Sequence, residues 1–576
     1  MAGPDDLGYD FERDKRLEPP GGEQAAIRLV DRNGRVWEGP RFPMDSEARY
    51  AYYSRMGGFV PVEVAVDTIF TNPIHYGAGG FEGVRLFRTP YGDGFPELPH
   101  NIGRFIYSSL AFNLSLVRQT MAILDDPAVE HVEHTPRTPM EFFADTEKRL
   151  LNDENIRMGV EIFYKDGRKV HATVPFELKV RFDSGERKFS MREMEAAMCS
   201  LAILNRLVRG GNFPESSMGL IPGGYFRPVF WVSGEEGLKV PTVLKRPDGT
   251  LADKPLYFGI GTLPWGRYLD EKGYAAGIDL LMAPFWRIDE SMPVRQKISG
   301  NYVNSTRNIN MAAILGFGEI LALNHKGQVV EGSAENIVVL MTEKSTGNLR
   351  AFFPPLSSNI LAGTTRNRAL KILQEGIRLS GKEVELVLEA PEWDFLKKSL
   401  RGHTGWEVSA VVLMGTGVGF IHGRSITEND FLEDWMEVNE LRSEDERTNP
   451  LVLKRVKETE VRYAINGGKK HPFVDALQEK YVQYVLGAGG SRITPACDMD
   501  YGMAEKIFGV GIEEALGAEK VRDFRSKIEG GYFRERVSGA ENPDELKEKY
   551  REAVRLITKM NAISMERRSR PSGLAR

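Results

Sequence analysis

The chain has 576 residues, of which 41% are hydrophobic and 27% are charged, and its formal net charge is -5 at pH 7. At roughly 100 to 200 residues per domain, this length predicts about three or four units, with ample apolar material for packed cores. So small a charge over so long a chain gives no reason to expect nucleic acid or an anionic membrane as the main partner. The two cysteines, Cys199 and Cys497, are too few for a disulfide framework or a cysteine-rich metal site, so we expect no metal.

The first residues of the chain argue against secretion. Residues 1–20 are rich in Asp, Glu and Arg and have no apolar core, so we expect a polar leader and not a signal peptide. No uninterrupted apolar run approaches the roughly 18 residues that a membrane-spanning helix needs. The sequence therefore predicts a soluble, cytoplasmic protein.

Apolar periodicity and turn residues predict the elements of the first half of the chain. In chain order these are a hairpin with strands at 26–30 and 35–37, a strand at 83–87, helices at 100–117 and 141–151, a hairpin with its turn at 165–168, a helix at 191–209, and buried strands at 225–232 and 256–261. Both hairpin turns contain Asn-Gly or Asp-Gly, which favour the backbone angles of tight turns.

Strands and helices alternate in the second half of the chain, which indicates an α/β unit. The predicted strands are 278–282, 319–323, 336–341, 384–388 and 410–414, and the predicted helices are 305–315, 365–379 and 475–486. Residues 427–468 are polar and charged, so we interpret them as an inserted excursion. From about residue 489 to the end, the pattern is mostly helical.

Several familiar functional motifs are missing from the sequence. The glycine clusters at 77–80 and 415–419 have neither the spacing nor the following helix of a dinucleotide-binding loop. There is also no Walker loop, no His-Glu-x-x-His and no Gly-x-Ser-x-Gly. These classes of site are therefore not expected.

Two charged residues stand where apolar segments meet predicted turns. Lys297 lies just before a predicted helix, and Glu331 directly follows the apolar pair Val329 and Val330. Taken alone, Lys297 is an ordinary surface ammonium, since lysine is rarely buried. Taken alone, Glu331 is an ordinary turn or N-cap carboxylate.

Two further segments have the character of anion sites. Thr364 and Thr365 follow Gly363 at the start of a predicted helix, where unpaired amides and the helix dipole favour an anion. Gly415-Thr416-Gly417 ends a buried strand and offers a second set of backbone amides.

Seven segments in collinear order resemble the signature blocks of the branched-chain amino-acid aminotransferases, which are class IV aminotransferases that use pyridoxal 5'-phosphate (PLP) and have the type IV fold. The segments are 75–85 (HYGAGGFEGVR), 225–228 (YFRP), 264–266 (PWG), 297–302 (KISGNY), 331–336 (EGSAEN), 354–366 (PPLSSNILAGTTR) and 415–416 (GT). The resemblance covers roughly 60–117, 187–426 and 469–487.

The resemblance implies a reactive lysine. Lys297 would form the internal aldimine with PLP and then move the proton between the substrate α-carbon and the cofactor. Glu331 would pair with the pyridine nitrogen and so preserve the ring as an electron sink. Tyr302 would hydrogen-bond the phenolic oxygen of the cofactor.

The same resemblance implies a phosphate site. Arg104 would grip the phosphate with its planar guanidinium group. Thr364, Thr365 and Thr416 would assist it.

On the substrate side, the resemblance assigns Tyr225 and the amides around Thr416 and Gly417 to the α-carboxylate. Arg227 would receive the acidic side chain of glutamate, the usual amino donor. Arg85, from the same block as Phe81, also belongs to the substrate side.

An apolar pocket for Leu, Ile or Val side chains would be walled by Phe81, Trp265 and Tyr268, unless these aromatics are ordinary core residues. Tyr76 would complete it, partly across a dimer interface. The chain departs from the family at 415–418, which reads Gly-Thr-Gly-Val where Gly-Thr-Ala-Ala is common, and at Gly79-Gly80, where larger residues are usual. Such changes of volume shift substrate preference by about 1 to 3 kcal/mol and leave the reaction type unaltered.

The implied architecture has an α+β small domain and a larger α/β domain with PLP in the cleft between them. We place the small domain at 21–267 with an insertion at about 118–186, the large PLP-binding domain at 268–487 with an insertion at about 427–468, and a helical C-terminal extension at 488–576. The implied partners are small-molecule amino acids and 2-oxo acids, and the implied assembly is a homodimer or a higher homo-oligomer.

The expected reaction is ping-pong transamination between an L-branched-chain, or similar apolar, amino acid and 2-oxoglutarate. Two alternatives stay open. One is another type IV PLP enzyme, acting on D-amino acids, amines or aminodeoxychorismate, and the other is a non-catalytic scaffold on this fold. The pairing of residues 81–85 with 225–228 argues against the first, and the presence of every expected cofactor residue argues against the second.

Overall fold

The structure is a computed structural model that describes residues 29–30, 36–37, 50–62, 65, 71–89, 92–112, 115–134, 156–176, 178–205, 207, 221–234, 242–263, 271–284, 287, 294–428, 461–485, 493–496, 501–520 and 555–567. Among these residues, no helix is both long and apolar enough to cross a membrane. No group of three or more His, Cys, Asp or Glu side chains in the described part could hold a metal ion.

Strands between residues 50 and 263, together with Ile493–Pro495, build a ten-stranded sheet, which we call the first sheet. Its longest strand, Ile221–Val232, pairs antiparallel with Leu256–Leu263 on one side and with Gly79–Phe81 and Val84–Thr89 on the other. The remaining strands are Tyr50–Tyr53, Gly58–Pro61, Gly92–Pro96, Lys179–Phe182, Gly185–Lys188 and Ile493–Pro495. This arrangement brings the blocks at 79–89 and 225–228 together as neighbours.

Two helices pack against the first sheet. Leu98–Ser109 carries Arg104, and Met191–Leu204 is buried on nearly every side. The second helix begins with a capping box, in which Ser190 accepts a hydrogen bond from the Glu193 amide and Glu193 accepts one from the Ser190 amide. Because so many of its faces are apolar, this helix needs cover from both sides.

The C-terminal segment supplies part of that cover. Helices Tyr501–Phe508, Ile512–Leu516 and 555–567 contribute to the core of the first sheet, and Ile493–Pro495 pairs with Gly92–Pro96 at its edge. The Phe508 ring stacks on Phe59 with centroids 4.8 Å apart. The C-terminal segment is therefore an integral part of the core of the first sheet.

The second half of the chain builds another ten-stranded sheet, which we call the second sheet. Its central strands, Asn336–Glu343 and Trp406–Gly415, are antiparallel and almost wholly buried. The other strands are Ile278–Met282, Glu319–Leu323, Val329–Glu331, Leu349–Phe352, Arg378–Leu379, Lys382–Val387, Gly419–Glu428 and Val461–Ala464. Parallel pairing of Ile278–Met282 with both of its neighbours makes the sheet mixed.

Helices cover both faces of the second sheet, because both faces of its central strands are apolar. Thr364–Glu375 and Pro472–Val485 pack with one cluster of core residues, and Trp393–Leu400 packs with another. Val303–Ile314 lies beside Glu319–Leu323. The combination of sheets and helices confirms the predicted α/β class.

Smaller elements complete the described part. A helix at Ser115–Leu124 packs on a three-stranded antiparallel sheet formed by Val129–His134, Ile156–Tyr164 and Lys169–Phe176. Two small hairpins pair Leu29–Val30 with Val36–Trp37 and Val243–Lys245 with Leu251–Asp253. Short helices lie at Asn72–Tyr76 and Glu271–Ala276, and 3-10 turns lie at Ser54–Met56, Leu110–Phe112, Ser299–Tyr302, Leu356–Ser358 and Asn466–Gly468.

Most predicted elements are present, and the errors lie at their ends. The predicted helix at 100–117 ends at Ser109, where the hydroxyls of Ser108 and Ser109 donate to backbone carbonyls of the preceding turn. The predicted helix at 191–209 ends at Leu204, because the Asn205 side chain bonds the backbone of Tyr50 instead. Both hairpin predictions are confirmed, and the predicted helix at 141–151 lies outside the described residues.

Two further predictions need correction, and a third needs an addition. The helix predicted at 365–379 ends at Glu375, because Gly376 has a φ of 95° and Arg378–Leu379 forms a strand. The C-terminal segment, predicted to be mostly helical, also supplies a strand. The polar excursion is shorter than 427–468, because its two ends pair with each other in the second sheet.

Candidate active site

The Lys297 backbone is held by helix Leu98–Ser109 and by the first sheet. The Lys297 amide donates to Ser108 Oγ at 2.8 Å, and its carbonyl accepts from the Phe81 amide at 3.1 Å. Next to it, Ile298 forms a bridge with Gly80. A side chain at Gly80 would collide with the Phe230 ring, so this close approach requires glycine.

The Lys297 side chain is buried, with 9% of the residue exposed. Its Nζ donates to Tyr302 Oη at 2.6 Å and lies 4.9 Å from the centre of the Phe81 ring. A buried amine held by one hydroxyl and one aromatic face is not an ordinary surface ammonium. The 3-10 turn Ser299–Tyr302 supplies the five-residue spacing that brings the two groups together.

Glu331 ends a buried strand and points into a polar cluster. Its Oε1 accepts from Asn336 Nδ2 at 2.7 Å and from the Leu361 amide at 2.8 Å, and its Oε2 pairs with Arg287 Nε at 2.5 Å. Burial raises the pKa of Glu331, while the positive charges of Arg287 and Lys297 act against that rise. Arg287 and Lys297 thus both favour the ionised form of Glu331.

A helix N-terminus faces the same region. Helix Thr364–Glu375 starts at Gly363, and no side chain caps it. A Cβ on Gly363 would lie 2.0 Å from Asn336 Oδ1, so only glycine allows the helix to begin against Asn336. Thr364 Oγ1 lies 3.4 Å from Thr416 Oγ1, which brings the two predicted anion segments together.

Arg104 reaches this helix N-terminus from helix Leu98–Ser109, which packs against the first sheet. One of its terminal nitrogens donates to the Ala362 carbonyl at 3.2 Å. Its other donors face Glu82: Nε donates to Oε2 at 2.7 Å, and Nη2 donates to Oε1. Glu82 also accepts from the Gly83 amide at 2.8 Å. Burial acts against the charge of Arg104, but Glu82 raises its pKa overall.

The predicted substrate residues form a second cluster. Arg85 donates to the carbonyls of Thr416 and Gly417 at 3.3 and 2.5 Å, so it holds the turn at the end of strand Trp406–Gly415. Arg227 lies 4.7 Å from the centre of the Phe81 ring and 5.1 Å from that of Tyr225.

Tyr225 is buried beside these arginines. Burial raises its pKa against the opposing charge of Arg227, so the phenol stays protonated and can donate a hydrogen bond. A Cβ on Gly83 would lie 2.0 Å from Tyr225 Oη, which explains the glycine at that position.

The predicted residues do not all meet at this site. Tyr76 is 43% exposed at the end of helix Asn72–Tyr76. Trp265 and Tyr268 lie outside the described residues, so their predicted place in the apolar wall stays a prediction. Phe81 does lie in the site, between Lys297, Tyr302 and Arg227.

Three residues of the site were missed by the sequence reasoning. Glu82 and Asn336 stand inside the recognised segments 75–85 and 331–336, and that position was an available signal. Arg287 lies outside every recognised segment, and its pairing with Glu331 depends on tertiary contact alone.

The residues present fit PLP. The site has a buried lysine amine beside a phenol, a buried carboxylate that could face a ring nitrogen, and an uncapped helix N-terminus with hydroxyls that could face a phosphate.

Comparison with known proteins defines the class. Residues 233–426 match the family described as amino-transferase class IV, and this stretch contains Lys297, Tyr302, Glu331 and Thr416. This region of the chain is therefore similar to the class IV aminotransferases, a family that depends on PLP.

The similar proteins include two branched-chain-amino-acid aminotransferases. A probable branched-chain-amino-acid aminotransferase of Aquifex aeolicus is 34% identical over 26% of this chain and 42% of its own length. The branched-chain-amino-acid aminotransferase of Escherichia coli K12 is 31% identical over 27% of this chain and 46% of its own. The predicted resemblance to the branched-chain aminotransferases is thus confirmed, over less than half the length of these relatives.

Among solved structures, the branched-chain aminotransferase of the archaeon Thermoproteus uzoniensis with norvaline is 18% identical. The match covers 77% of this chain and 96% of that chain, with a TM-score of 0.43.

Proposed function

We propose that the chain is a PLP-dependent aminotransferase that transfers the amino group between an L-branched-chain, or similar apolar, amino acid and 2-oxoglutarate. The observation that carries the proposal is the meeting of a buried amine and a buried carboxylate in one site, Lys297 and Glu331, each held by its own hydrogen bonds. The match to class IV aminotransferases and the names of the relatives support the reaction type.

Lys297 is the proposed reactive amine. The Tyr302 hydroxyl, 2.6 Å from Nζ, orients the amine, and the Phe81 face excludes water from one side. When bound, PLP supplies an electron sink for charge developed at the substrate α-carbon. Lys297 Nζ is the group that would hold and move the proton at that carbon.

Glu331 and the helix N-terminus are the proposed holders of the cofactor. Glu331 would face the ring nitrogen, with Asn336 and Arg287 keeping its carboxylate oriented. Thr364, Thr365, Thr416 and Arg104 would hold the phosphate, because hydroxyls, helix amides and a guanidinium all favour an anion.

The substrate side is proposed from the second cluster. Tyr225 and the amides near Gly417 would bind the α-carboxylate, while Arg85 holds the turn that presents those amides. Arg227 would receive the side-chain carboxylate of glutamate. An apolar side chain would instead contact Phe81, with Trp265 and Tyr268 as further proposed walls.

We also propose that the protein works as a homodimer or a higher homo-oligomer. Ile74, Tyr76 and Val303 are 66%, 43% and 59% exposed, and Gly77, which follows the helix of the first two, lies against Gly300, three residues before Val303. Large exposed apolar side chains beside a site favour a partner surface. Sedimentation analysis tests this, and a monomer at assay concentration would contradict it.

A pair of lysine variants tests the reaction. The full-length protein should take up PLP, turn yellow and form glutamate from L-leucine and 2-oxoglutarate. Lys297→Ala should lose the lysine-bound colour and the activity, whereas Lys326→Ala, at an exposed lysine of the same domain, should keep both. Activity that survives in Lys297→Ala would overturn the proposal.

A panel of amino donors separates the alternatives. A preference for L-leucine, L-isoleucine or L-valine supports the proposed substrate class. A preference for D-amino acids or amines, or formation of pyruvate from aminodeoxychorismate, would replace it. No PLP uptake at all would point to a scaffold.

A further inference from the structure

Two acidic side chains beside the site take no part in the roles above. Glu319 begins strand Glu319–Leu323, and Glu335 stands just before strand Asn336–Glu343. Their carboxyl groups are in hydrogen-bonding contact with each other. Two carboxyl groups can share a hydrogen bond only when one of them holds a proton.

The surrounding donors show which carboxyl is ionised. Glu319 Oε1 accepts from the amides of Ile320 and Ser333 at 2.8 and 3.1 Å, and Glu319 Oε2 accepts from Ser333 Oγ at 2.9 Å. For Glu335, the corresponding backbone contact is with the Ala334 amide at 3.0 Å. An acceptor-only group suits the site with more donors, so Glu319 is the carboxylate and Glu335 is the carboxylic acid.

The electrostatics agree with this assignment. Burial and the neighbouring Glu319 raise the pKa of Glu335 well above its usual value, and Lys297 is the positive charge that opposes the rise. Burial also raises the pKa of Glu319, but the hydrogen bonds from Glu335 and Ser333 act to lower it. The pKa of Glu335 is therefore raised further than that of Glu319, which favours the proton on Glu335.

The pair closes the turn between two site residues. Residues 332–335 join Glu331 to Asn336, and Asn336 donates to Glu331. The Gly332 amide donates to the Glu335 carbonyl at 2.7 Å, so the turn is narrow. On its other side, Glu335 Cγ would lie 3.6 Å from a Cβ on Gly415, which puts the side chain against the turn that carries Thr416.

We propose that Glu335 and Glu319 form a positioning pair, in which a protonated Glu335 donates to an ionised Glu319 and so fixes the turn that orients Glu331 and Asn336. The shared proton leaves one negative charge where two would repel each other and open the turn. The existence of the pair does not depend on the proposed reaction, but its effect on the cofactor rests on the proposed role of Glu331.

Glutamine variants test the assignment, because an amide imitates a protonated carboxyl and not a carboxylate. Glu335→Gln retains a donor towards Glu319 and should keep PLP affinity within about twofold of the wild type. Glu319→Gln removes the charge that accepts from Ser333 and should weaken PLP binding by about tenfold or more, because hydrogen bonds to charged groups are worth more than neutral ones. Glu389→Gln, at an exposed carboxylate, is the matched control.

The proton itself has an independent readout. In infrared spectra of the full-length protein, the carbonyl band of a protonated carboxylic acid should be present in the wild type and in Glu389→Gln, and absent in Glu335→Gln. This measurement needs neither activity nor a well-folded Glu319→Gln. If the band persists in Glu335→Gln, or if the two glutamine variants bind PLP equally well, the pair proposal is overturned.

The tests keep the two proposals apart. If the wild type does not transaminate but the carbonyl band is lost in Glu335→Gln, the proposed function is overturned and the pair proposal stands. If the wild type transaminates but the carbonyl band persists in Glu335→Gln, the pair proposal is overturned and the proposed function stands.

Discussion

Replacement of Glu82 by glutamine should be strongly destabilising, because it leaves Arg104 charged and buried without its counter-ion. Glu82 has no exposed surface, and Arg104 is 3% exposed. The two carboxylate oxygens each take a different guanidinium nitrogen, which is the geometry of a bidentate pair.

The magnitude follows from the loss of one partner of a buried pair. Removal of one such partner costs about 3–5 kcal/mol, whereas exposed pairs are typically worth at most about 1 kcal/mol. If the unfolding unit has about 150–250 residues, the melting temperature should fall by roughly 6–20 °C. Urea unfolding with an unchanged m-value would measure the change in free energy.

The matched control is Glu385→Gln, which breaks the exposed pair with Arg350, whose N–O distance is also 2.7 Å. A double variant, Glu82→Gln with Arg104→Met, should recover part of the loss, since it leaves no unpaired charge. The reasoning is refuted if Glu82→Gln costs no more than Glu385→Gln.

Three further predictions concern the amine, the C-terminal segment and a buried histidine. Tyr302→Phe removes the hydroxyl that accepts a hydrogen bond from Lys297. The kcat should therefore fall by about 2- to 10-fold, which corresponds to the free energy of one hydrogen bond, while the urea midpoint stays constant. A shifted midpoint with unchanged kcat would contradict this prediction. Phe508→Ala should lower the free energy of unfolding in urea by about 3–5 kcal/mol, because the Phe508 ring is 3% exposed and stacked on Phe59. If this change is smaller than that of an exposed substitution such as Val117→Ala, the C-terminal segment does not support the core. Burial and the nearby Lys470 lower the pKa of His422 to about 4, so the native state should lose stability as pH falls from about 6.5 towards 4. The His422→Leu variant should lack this pH dependence. Thermal melts with equal pH slopes in both proteins would refute the prediction.

The candidate site shows which functional residues can be predicted from short segments of the sequence and which cannot. Lys297, Tyr302 and Glu331 could be named because each stands in a short segment with a recognisable order of residues. Glu82 stands in such a segment too, but its role depends on facing Arg104, which is 22 residues away. A residue type at one position says nothing about which charge will oppose it in the folded core.

The C-terminal segment shows the same limit at the level of the fold. Its helical pattern is readable in the sequence, which predicts a helical C-terminal extension. In the structure, residues 493–495 extend the first sheet and Phe508 fills the core beside Phe59. Periodicity reports which face of an element is apolar, but not which distant surface that face will cover.

The sequence by itself determined the α/β class and many of the strands and helices, and it named the proposed cofactor residues, because these depend on periodicity, turn chemistry and ordered short segments. Tertiary structure alone decided where helices stop, as at Asn205, and which partners hold the charged side chains, as Arg287 holds Glu331. The physical reason is that burial and pairing are properties of groups far apart in the chain. Their energies exist only after the two sheets have brought them within hydrogen-bonding distance.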